Sequence, residues 1–382
     1  MKKGWQTKTL DSCCEQIFAG GDVPKDRFSE EQTENFSVPI YSNGEKNDGL
    51  YGFTDLARVT KPSITVSARG TLGFTAIRTE PFLPVVRLIV LVPDEKQITL
   101  SFLYYALVGM DFENTGTSIP QLTVPNFKES KFPVPPLAEQ QRIVGLLDEA
   151  FEGLATAKAN AEKNLQNARA LFESHLQSVF TQRGPGWVEK HLKEVCEKIT
   201  DGTHQTPKYF DEGVVFLSSR NVTSGKIDWE NIKYIDTKQH LEMHKRVAPR
   251  RGDILLAKNG TTGVAAIVDR DTVFDIYVSL AHLRALPVIR PRFLLHFINS
   301  PAAKLQFNKR LKGIGVPNLH LEEIREVRIA FPADLKAQDH VVGALDDLHE
   351  ETQRLARLYE RKQAALEALN KSLLHQAFTG EL

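Results

Sequence analysis

The stretch FPVPPLAEQQRIVGLLDEAF, residues 132–151, returns near the end of the chain as FPADLKAQDHVVGALDDLHE, residues 331–350. No other feature restricts the fold as strongly, because a duplicated phrase implies a duplicated unit. GWQTKTLDSCCEQI at 4–17 matches GWVEKHLKEVCEKI at 186–199, which puts Cys14 and Cys196 in one slot. ARGTLGFTAI at 68–77 matches KNGTTGVAAI at 258–267, and TVPNFK at 123–128 pairs with GVPNLH at 315–320. LFESHLQSVFT at 171–181 matches LNKSLLHQAFT at 369–379. From Leu137 to Thr181 the two copies stay 198 positions apart, whereas before that the separation drifts upward from 182. A constant separation means segments of fixed length, and a drifting one means loops of unequal size. The order is head, tail, head, tail.

The tails read as long helices. Val144, Leu147, Phe151, Leu154, Lys158, Ala161, Leu165, Ala168, Phe172, His175 and Val179 step by three and four, a coiled-coil seam with Lys158 and His175 as polar interruptions. Val341, Leu345, Leu348, Thr352, Leu355, Tyr359, Lys362, Leu366, Leu369 and Leu373 repeat the pattern. Pro135 and Pro136 precede the first helix and Gly184–Pro185–Gly186 follows it. Such a narrow apolar stripe needs a partner, and the other tail is the nearest one. Antiparallel pairing is expected. The heads carry short β-rich runs such as SITVSA, VVRLIVLV and DILLAK between glycine turns. The expected fold class is α+β: two globular heads separated by two long helices in an antiparallel coiled coil, a pseudo-two-fold tandem repeat. Its boundaries are 1–135, 136–183, 184–333 and 334–382.

Composition excludes little. Net charge is zero, but residues 186–333 carry an excess of Lys and Arg, which allows an anionic partner there. The three cysteines show no metal-ligand spacing and read as reduced core residues. LPVVRLIVLVP at 83–93 is too short to span a bilayer and contains Arg87, and MKKGWQTKTL lacks the apolar core of a signal peptide. The expectation is a cytoplasmic protein without a membrane role.

Two similar but diverged heads at a fixed spacing suit a target with two half-sites, and duplex DNA presents the same groove face every ~34–36 Å. The candidate DNA-binding residues lie in polar loops. In the first head they are Ser42, Asn43, Arg69 and Thr71. In the second they are Thr203, His204, Arg220, Asn221, Lys245, Arg246, Arg251, Lys258, Asn259 and Thr261. Glycine turns let backbone N–H groups approach phosphate, and Arg, Lys, Asn and Thr reach base edges. Each loop alone also reads as a solvated turn. No catalytic or metal site is assigned. Pro135–Pro136 lacks the flanking residues of an adenine methyltransferase loop, GDILLAK lacks the acidic cluster of a metal-dependent nuclease, and Asp201 with His204 lacks further ligands. A stand-alone bipartite DNA-binding regulator is the alternative reading.

PPLAEQQRIVGLLDEAF and the ending SLLHQAFTGEL resemble the specificity subunit of Type I restriction–modification enzymes, and the likeness covers the whole chain. ITDGTHQTPKYFDEGVVFLSSRNVTSGKI and YSNGEKNDGLYGFTD look like two classes of that family's target recognition domain. The resemblance implies a non-catalytic subunit that reads a bipartite, asymmetric site in double-stranded DNA. It implies two methyltransferase subunits and, added to them, restriction (motor) subunits. S-adenosylmethionine would be held by the methyltransferase, and ATP and Mg by the restriction partner. The helices would set the spacer and dock partners through Leu137, Gln140, Val144, Leu147, Phe151, Leu335, Gln338, Val342, Leu345 and Phe378. The second copy departs from the pattern, with Ala337 where Glu139 stands and His349 where Phe151 stands. A histidine there costs stability unless it finds a hydrogen-bond partner.

Overall fold

The computed structural model describes residues 4–110, 112, 122–222, 225–260, 262–311 and 318–382. It divides into two compact units, Met1–Glu162 with Arg361–Leu382, and Lys163–Glu360. Each unit is therefore a head together with part of both long helices, a division that cuts across the head-and-tail boundaries drawn from sequence.

In the first unit, strand Gln6–Thr9 pairs antiparallel with Lys131–Val134, just ahead of the long helix Leu137–Thr181. The head thus starts and ends in one clasp. Its main sheet runs in the order Cys14–Ala19, Ile89–Pro93, Ser63–Val66, Thr75–Arg78, with antiparallel neighbours throughout. A smaller sheet orders Leu50–Thr54, Val38–Tyr41, Leu83–Pro84, the last pair parallel. The second unit repeats this plan. Trp187–His191 clasps Arg328–Pro332. The main sheet is Cys196–Asp201, Leu280–Ala285, Ile254–Ala257, Ala265–Ile267, and the smaller one Lys233–Ile235, Val214–Leu217, Phe274–Ile276. Cys14 and Cys196 open the first strand of each main sheet, and burial pushes both thiols up to about 12, so they are neutral packing groups.

One pairing from sequence is corrected. Leu122 N–H donates to Ala68 O, and Leu319 N–H donates to Lys258 O, so Leu122 corresponds to Leu319. The helix Val124–Lys128 then matches Leu321–Arg325. The Val-Pro-Asn triplets at 124–126 and 316–318 are therefore not equivalent. A three-residue match was too short to resist a nearby look-alike.

The second long helix is Leu335–Thr379, and both contain 45 residues. In the first unit Lys158 Nζ reaches Glu367 Oε1 at 3.3 Å; in the second Arg169 Nη2 reaches Glu360 Oε1 at 2.8 Å. Numbers rise along one helix as they fall along the other, and the pairing is antiparallel. The seam departs from the expected one. Lys158, His175, Lys362 and Leu369 are exposed, and the inward positions fall on Ala157, Leu176, Gln363 and Leu374. Burial at Ala161, Leu165, Ala168, Phe172, Leu176 and Phe180 mostly steps by four, nearer the free-helix period of 3.6 than a strict 3.5.

Two buried glutamines fix each helix to its head. Gln140 and Gln338 are both 0% exposed. Gln140 Oε1 accepts from the N–H of Thr99 at 2.8 Å, and its Nε2 donates to Gln97 O and Pro135 O, each at 2.9 Å. Gln338 Oε1 accepts from Arg290 N–H at 2.8 Å, and its Nε2 donates to Val288 O at 3.0 Å and Pro332 O at 2.9 Å. Thr99 and Arg290 are the N-caps of the head helices Leu100–Val108 and Pro291–Asn299. One amide thus ties together the head helix, the loop before it and the start of the long helix. Leu147 and Leu345, also 0% exposed, pack beneath, so these four residues serve the joint and not an external docking face. Val144, Phe151 and Val342 are partly buried against the same cores, and Phe378 meets the Phe102 ring at 5.3 Å. Leu335 is half-buried and Leu137 exposed.

A second link differs between the units. Tyr105 Oη donates to Asp148 Oδ1 at 2.5 Å, whereas at the matching place His296 Nε2 lies 2.8 Å from Asp346 Oδ1, with Arg292 also on that carboxylate. His349 finds its partner in Gln353, whose Nε2 is 2.8 Å from the His349 Nε2, and its ring packs on Phe172 at 4.6 Å.

Replacing Gln140 or Gln338 by leucine leaves one buried and two part-buried backbone bonds unmade, and the buried group alone costs about 1–3 kcal/mol. The expected loss is about 1–3 kcal/mol in urea unfolding of the full chain, and a loss below ~0.5 kcal/mol would refute the joint. The histidines give the second unit a pH dependence. Burial pushes His296 and His349 below their ordinary value, against the pull of Asp346. Their contribution is therefore complete above the unfolded value near ~6.5 and is lost as pH falls through the folded values. The urea midpoint should drop between pH 7 and 5, and the double variant His296→Tyr, His349→Phe should flatten that drop. An unchanged slope in the variant would assign the effect elsewhere.

Candidate nucleic-acid interface

In both units the same three loops gather at one end of the main sheet. The hairpin between Ser63–Val66 and Thr75–Arg78 ends in the ARGTLG turn, and that between Ile254–Ala257 and Ala265–Ile267 ends in KNGTTG. Gly73 N–H donates to Ser67 O and Leu72 N–H to Gly70 O; Gly263 N–H donates to Ala257 O and Thr262 N–H to Gly260 O. The turns are one structure built twice. Beside each passes a glycine that must be a glycine: a Cβ on Gly20 would sit 2.6 Å from Pro84 C, and one on Gly202 1.9 Å from Ile276 O.

The first unit's upper loops are joined by neutral groups. Asn43 Oδ1 accepts from Ala68 N–H at 2.7 Å, and its Nδ2 donates to Val86 O at 2.6 Å. Gly44 N–H donates to Ser67 Oγ at 3.0 Å. Ser42 is half-buried, with its N–H on Gly49 O at 2.8 Å; Arg69 is half-buried and Thr71 exposed. Sequence reading missed the third loop. VVRLIVLV looks like one strand, but Val86 and Arg87 have φ of 52° and 61° and turn the chain outward between Leu83–Pro84 and Ile89–Pro93. Left-handed backbone at a β-branched residue is strained, and such strain concentrates at functional surfaces. Below the loops, Arg78 is 4% exposed, bonds Asp48 and lies 3.7 Å over the Tyr41 ring.

The second unit's face is charged. Asp201, 2% exposed, sits among three cationic or titratable side chains. Lys258 Nζ is 2.9 Å from Asp201 Oδ2, Arg246 Nη2 is 2.5 Å from Oδ1, and His204 Nε2 is 3.3 Å from Oδ1. Burial opposes ionisation of Asp201, but hydrogen bonds from Arg246 and Lys258 outweigh it and hold its carboxyl below the usual value. Thr203 is buried, with its N–H on Ile276 O. Ser279 joins the loops: its Oγ accepts from Ser219 N–H at 3.0 Å and its O from Lys258 N–H at 3.0 Å.

The structure separates several predicted residues. Lys258 is 6% exposed and spends its charge on Asp201, so it supports the face from below. Asn221 is 6% exposed and closes its own turn, accepting from Ser218 N–H and donating to Asp228 O and Asn231 O. Arg251 pairs with Asp271 at 3.4 Å, at the far end of strand Ile254–Ala257 from Lys258. The two side chains therefore stand at opposite ends of that strand, because an extended segment moves near sequence neighbours away from one another. Asn259 is half-buried and bridges to Asn318, while Lys245, Arg220 and His204 are exposed. Thr261 lies outside the described residues. His240, His244 and Asp275 form a separate cluster.

Comparison with known proteins adds the following. A family model described as Type I restriction modification DNA specificity domain matches residues 2–165 and 185–363. A putative type I specificity subunit from Mycoplasma pneumoniae is 32% identical over 180 residues, 47% of this chain and 48% of that protein. A second from the same organism is 37% identical over 153 residues, 39% of this chain and 45% of that protein. The matches span about half the length of these relatives. The Escherichia coli Type I restriction enzyme EcoBI specificity subunit is 21% identical over 376 residues, covering 91% of this chain and 77% of that one. A chain from a structure of a type I R-M system shares the fold with TM-score 0.80 at 19% identity, over 100% of this chain and 99% of that one. The HsdS subunit of Thermoanaerobacter tengcongensis follows with TM-score 0.60 at 18% identity, over 100% and 98%.

The Asp201 cluster makes a prediction. Asp201→Ala strands a buried ammonium and should cost about 3–5 kcal/mol, and adding Lys258→Met should restore most of it. Urea unfolding decides, and a single-variant cost below ~1 kcal/mol would mean that Lys258 is not held by this pair.

Proposed function

The chain belongs to the Type I restriction–modification DNA specificity domain family, and from that premise we propose that it selects the DNA site for a methyltransferase complex. Each head reads one half of a bipartite, asymmetric site in double-stranded DNA. The observation that carries this reading is a loop frame repeated in both units but furnished with different side chains. Asn43, Arg69, Thr71 and the Val86–Arg87 turn occupy one; His204, Arg220 and Arg246 occupy the other. Exposed cations such as Lys245 and Arg220 suit phosphate, and the amide, hydroxyl and imidazole groups suit base edges. Different furniture on one frame implies different half-site sequences.

The paired helices set the unread gap, each spanning roughly 67 Å at ~1.5 Å per residue. They also dock the partners. Leu137, Leu146 and Leu171 on the first and Leu358 and Leu369 on the second are exposed, although the cores beneath are well packed. Two methyltransferase subunits holding S-adenosylmethionine, and restriction subunits using ATP and Mg, would supply the chemistry. This chain contributes selection alone and works in the cytoplasm. Among the described residues no helix is long and apolar enough to cross a membrane.

Two measurements test the reading. Deleting the gene should remove one split adenine-methylation motif from the host methylome, and an unchanged methylome would reject it. Four residues inserted after 162 in the first long helix and after 360 in the second add about 6 Å. The gap should lengthen by ~2 base pairs with both half-sites unchanged, whereas altered half-sites with the old gap would sink the ruler.

A further inference from the structure

The second unit holds a cluster that the DNA-facing loops do not use. The helix Thr237–Met243 carries His240, and His244 closes it as C-cap. The i, i+4 spacing sets both imidazoles on one side of the helix. That side meets strand Phe274–Ile276, whose Asp275 is 1% exposed. His240 Nδ1 is 2.7 Å from Asp275 Oδ2, and His244 Nδ1 is 3.0 Å from Asp275 Oδ1. The ring centroids are 4.6 Å apart, and the three candidate ligand atoms lie within 4.8 Å of one another.

A buried carboxylate needs compensating charge. A dication held by the same ligand atoms would supply that charge. We propose that His240, His244 and Asp275 bind a single zinc ion, with a water completing four ligands. Two imidazole nitrogens and one carboxylate oxygen form a donor set that suits this borderline ion. Tetrahedral bonds of ~2.0–2.1 Å hold neighbouring ligand atoms about 3.3 Å apart, so the two hydrogen-bonded contacts would open by about 0.3–0.6 Å while the other ligand distances, all within 4.8 Å, close around the ion. Coordination at Nδ1 leaves each imidazole proton on Nε2, free to face a neighbouring acceptor or solvent. None of the three was legible as a ligand in the sequence, because Asp275 stands 31 positions beyond His244.

The site has a structural use. The helix is fixed at its start by Asp236, whose Oδ1 accepts from Gln239 N–H at 2.7 Å, and the ion would fix its end. The chain then runs directly into Lys245 and into Arg246, which holds Asp201. Zinc would order the basic segment at its root, an effect on DNA binding that rests on the reading above; the metal site itself does not.

The test uses the full chain, stripped with chelator, given zinc or cobalt(II) and passed through gel filtration. One zinc per chain is expected by elemental analysis, with visible cobalt bands of tetrahedral intensity. His244→Gln, checked for folding by circular dichroism, should lose both. NMR of labelled histidines should show both Nδ1 atoms metal-bound after zinc addition. A wild-type chain that retains no zinc, or a His244→Gln chain that retains as much, overturns the site and leaves a hydrogen-bonded triad. Zinc retained without Nδ1 coordination overturns it equally.

Discussion

Everything else in each unit hangs on one buried side-chain amide. Gln140 and Gln338 each satisfy three backbone groups, two at the start of a head helix and one just ahead of the long helix. An apolar contact in that place could slide or rotate at little cost. A buried amide cannot, because every displacement leaves a donor or acceptor without water or partner. The clasp strands bring both ends of the head to the foot of the long helix, and the amide fixes the angle at which the helix leaves. A reader of DNA on such a mount is positioned by its own stem.

The joint also explains what was free to change. None of its polar groups comes from the loops at the far end of the main sheet. The first head could acquire Asn43 and a strained Val86–Arg87 turn, and the second a buried Asp201 with Lys258 and Arg246, without disturbing either mount. The two solutions differ in kind. In the first, neutral hydrogen bonds join the Asn43 loop to its neighbours, a buried Arg78 binds Asp48 below, and Arg87 stays exposed. In the second, a buried carboxylate orients its cations beforehand, which lowers the ordering cost of meeting an anionic surface.

Much of this frame was legible in the sequence, because repetition and periodicity are written in residue order. The tandem layout, the 45-residue helices, their antiparallel sense and the core role of Cys14 and Cys196 followed from offsets and spacing. The failures share one cause: contacts distant in sequence. Lys258 looked like a free cation until Asp201, from another strand, arrived beside it. Gln140 looked like a docking residue because the carbonyls it serves carry no side-chain signature. Val86–Arg87 hid inside an apolar run, since backbone sign is invisible where no glycine marks it. Arg251 and Lys258 were grouped as candidates for one face, although the strand Ile254–Ala257 lies between them.

The second link is built from different chemistry in the two units. Tyr105 and Phe151 support the first helix with a phenol and an apolar ring; His296 and His349 take those places in the second. Each histidine is viable only through a neighbour: Asp346 for one, Gln353 for the other. Neither neighbour alone makes an imidazole preferable to a hydrocarbon, but together they make it affordable while the glutamine joint carries the geometry. Substitution at the second link is therefore permitted by redundancy at the first. The joint, which has no such backup, is the place where the two copies kept the same residue and the same three bonds.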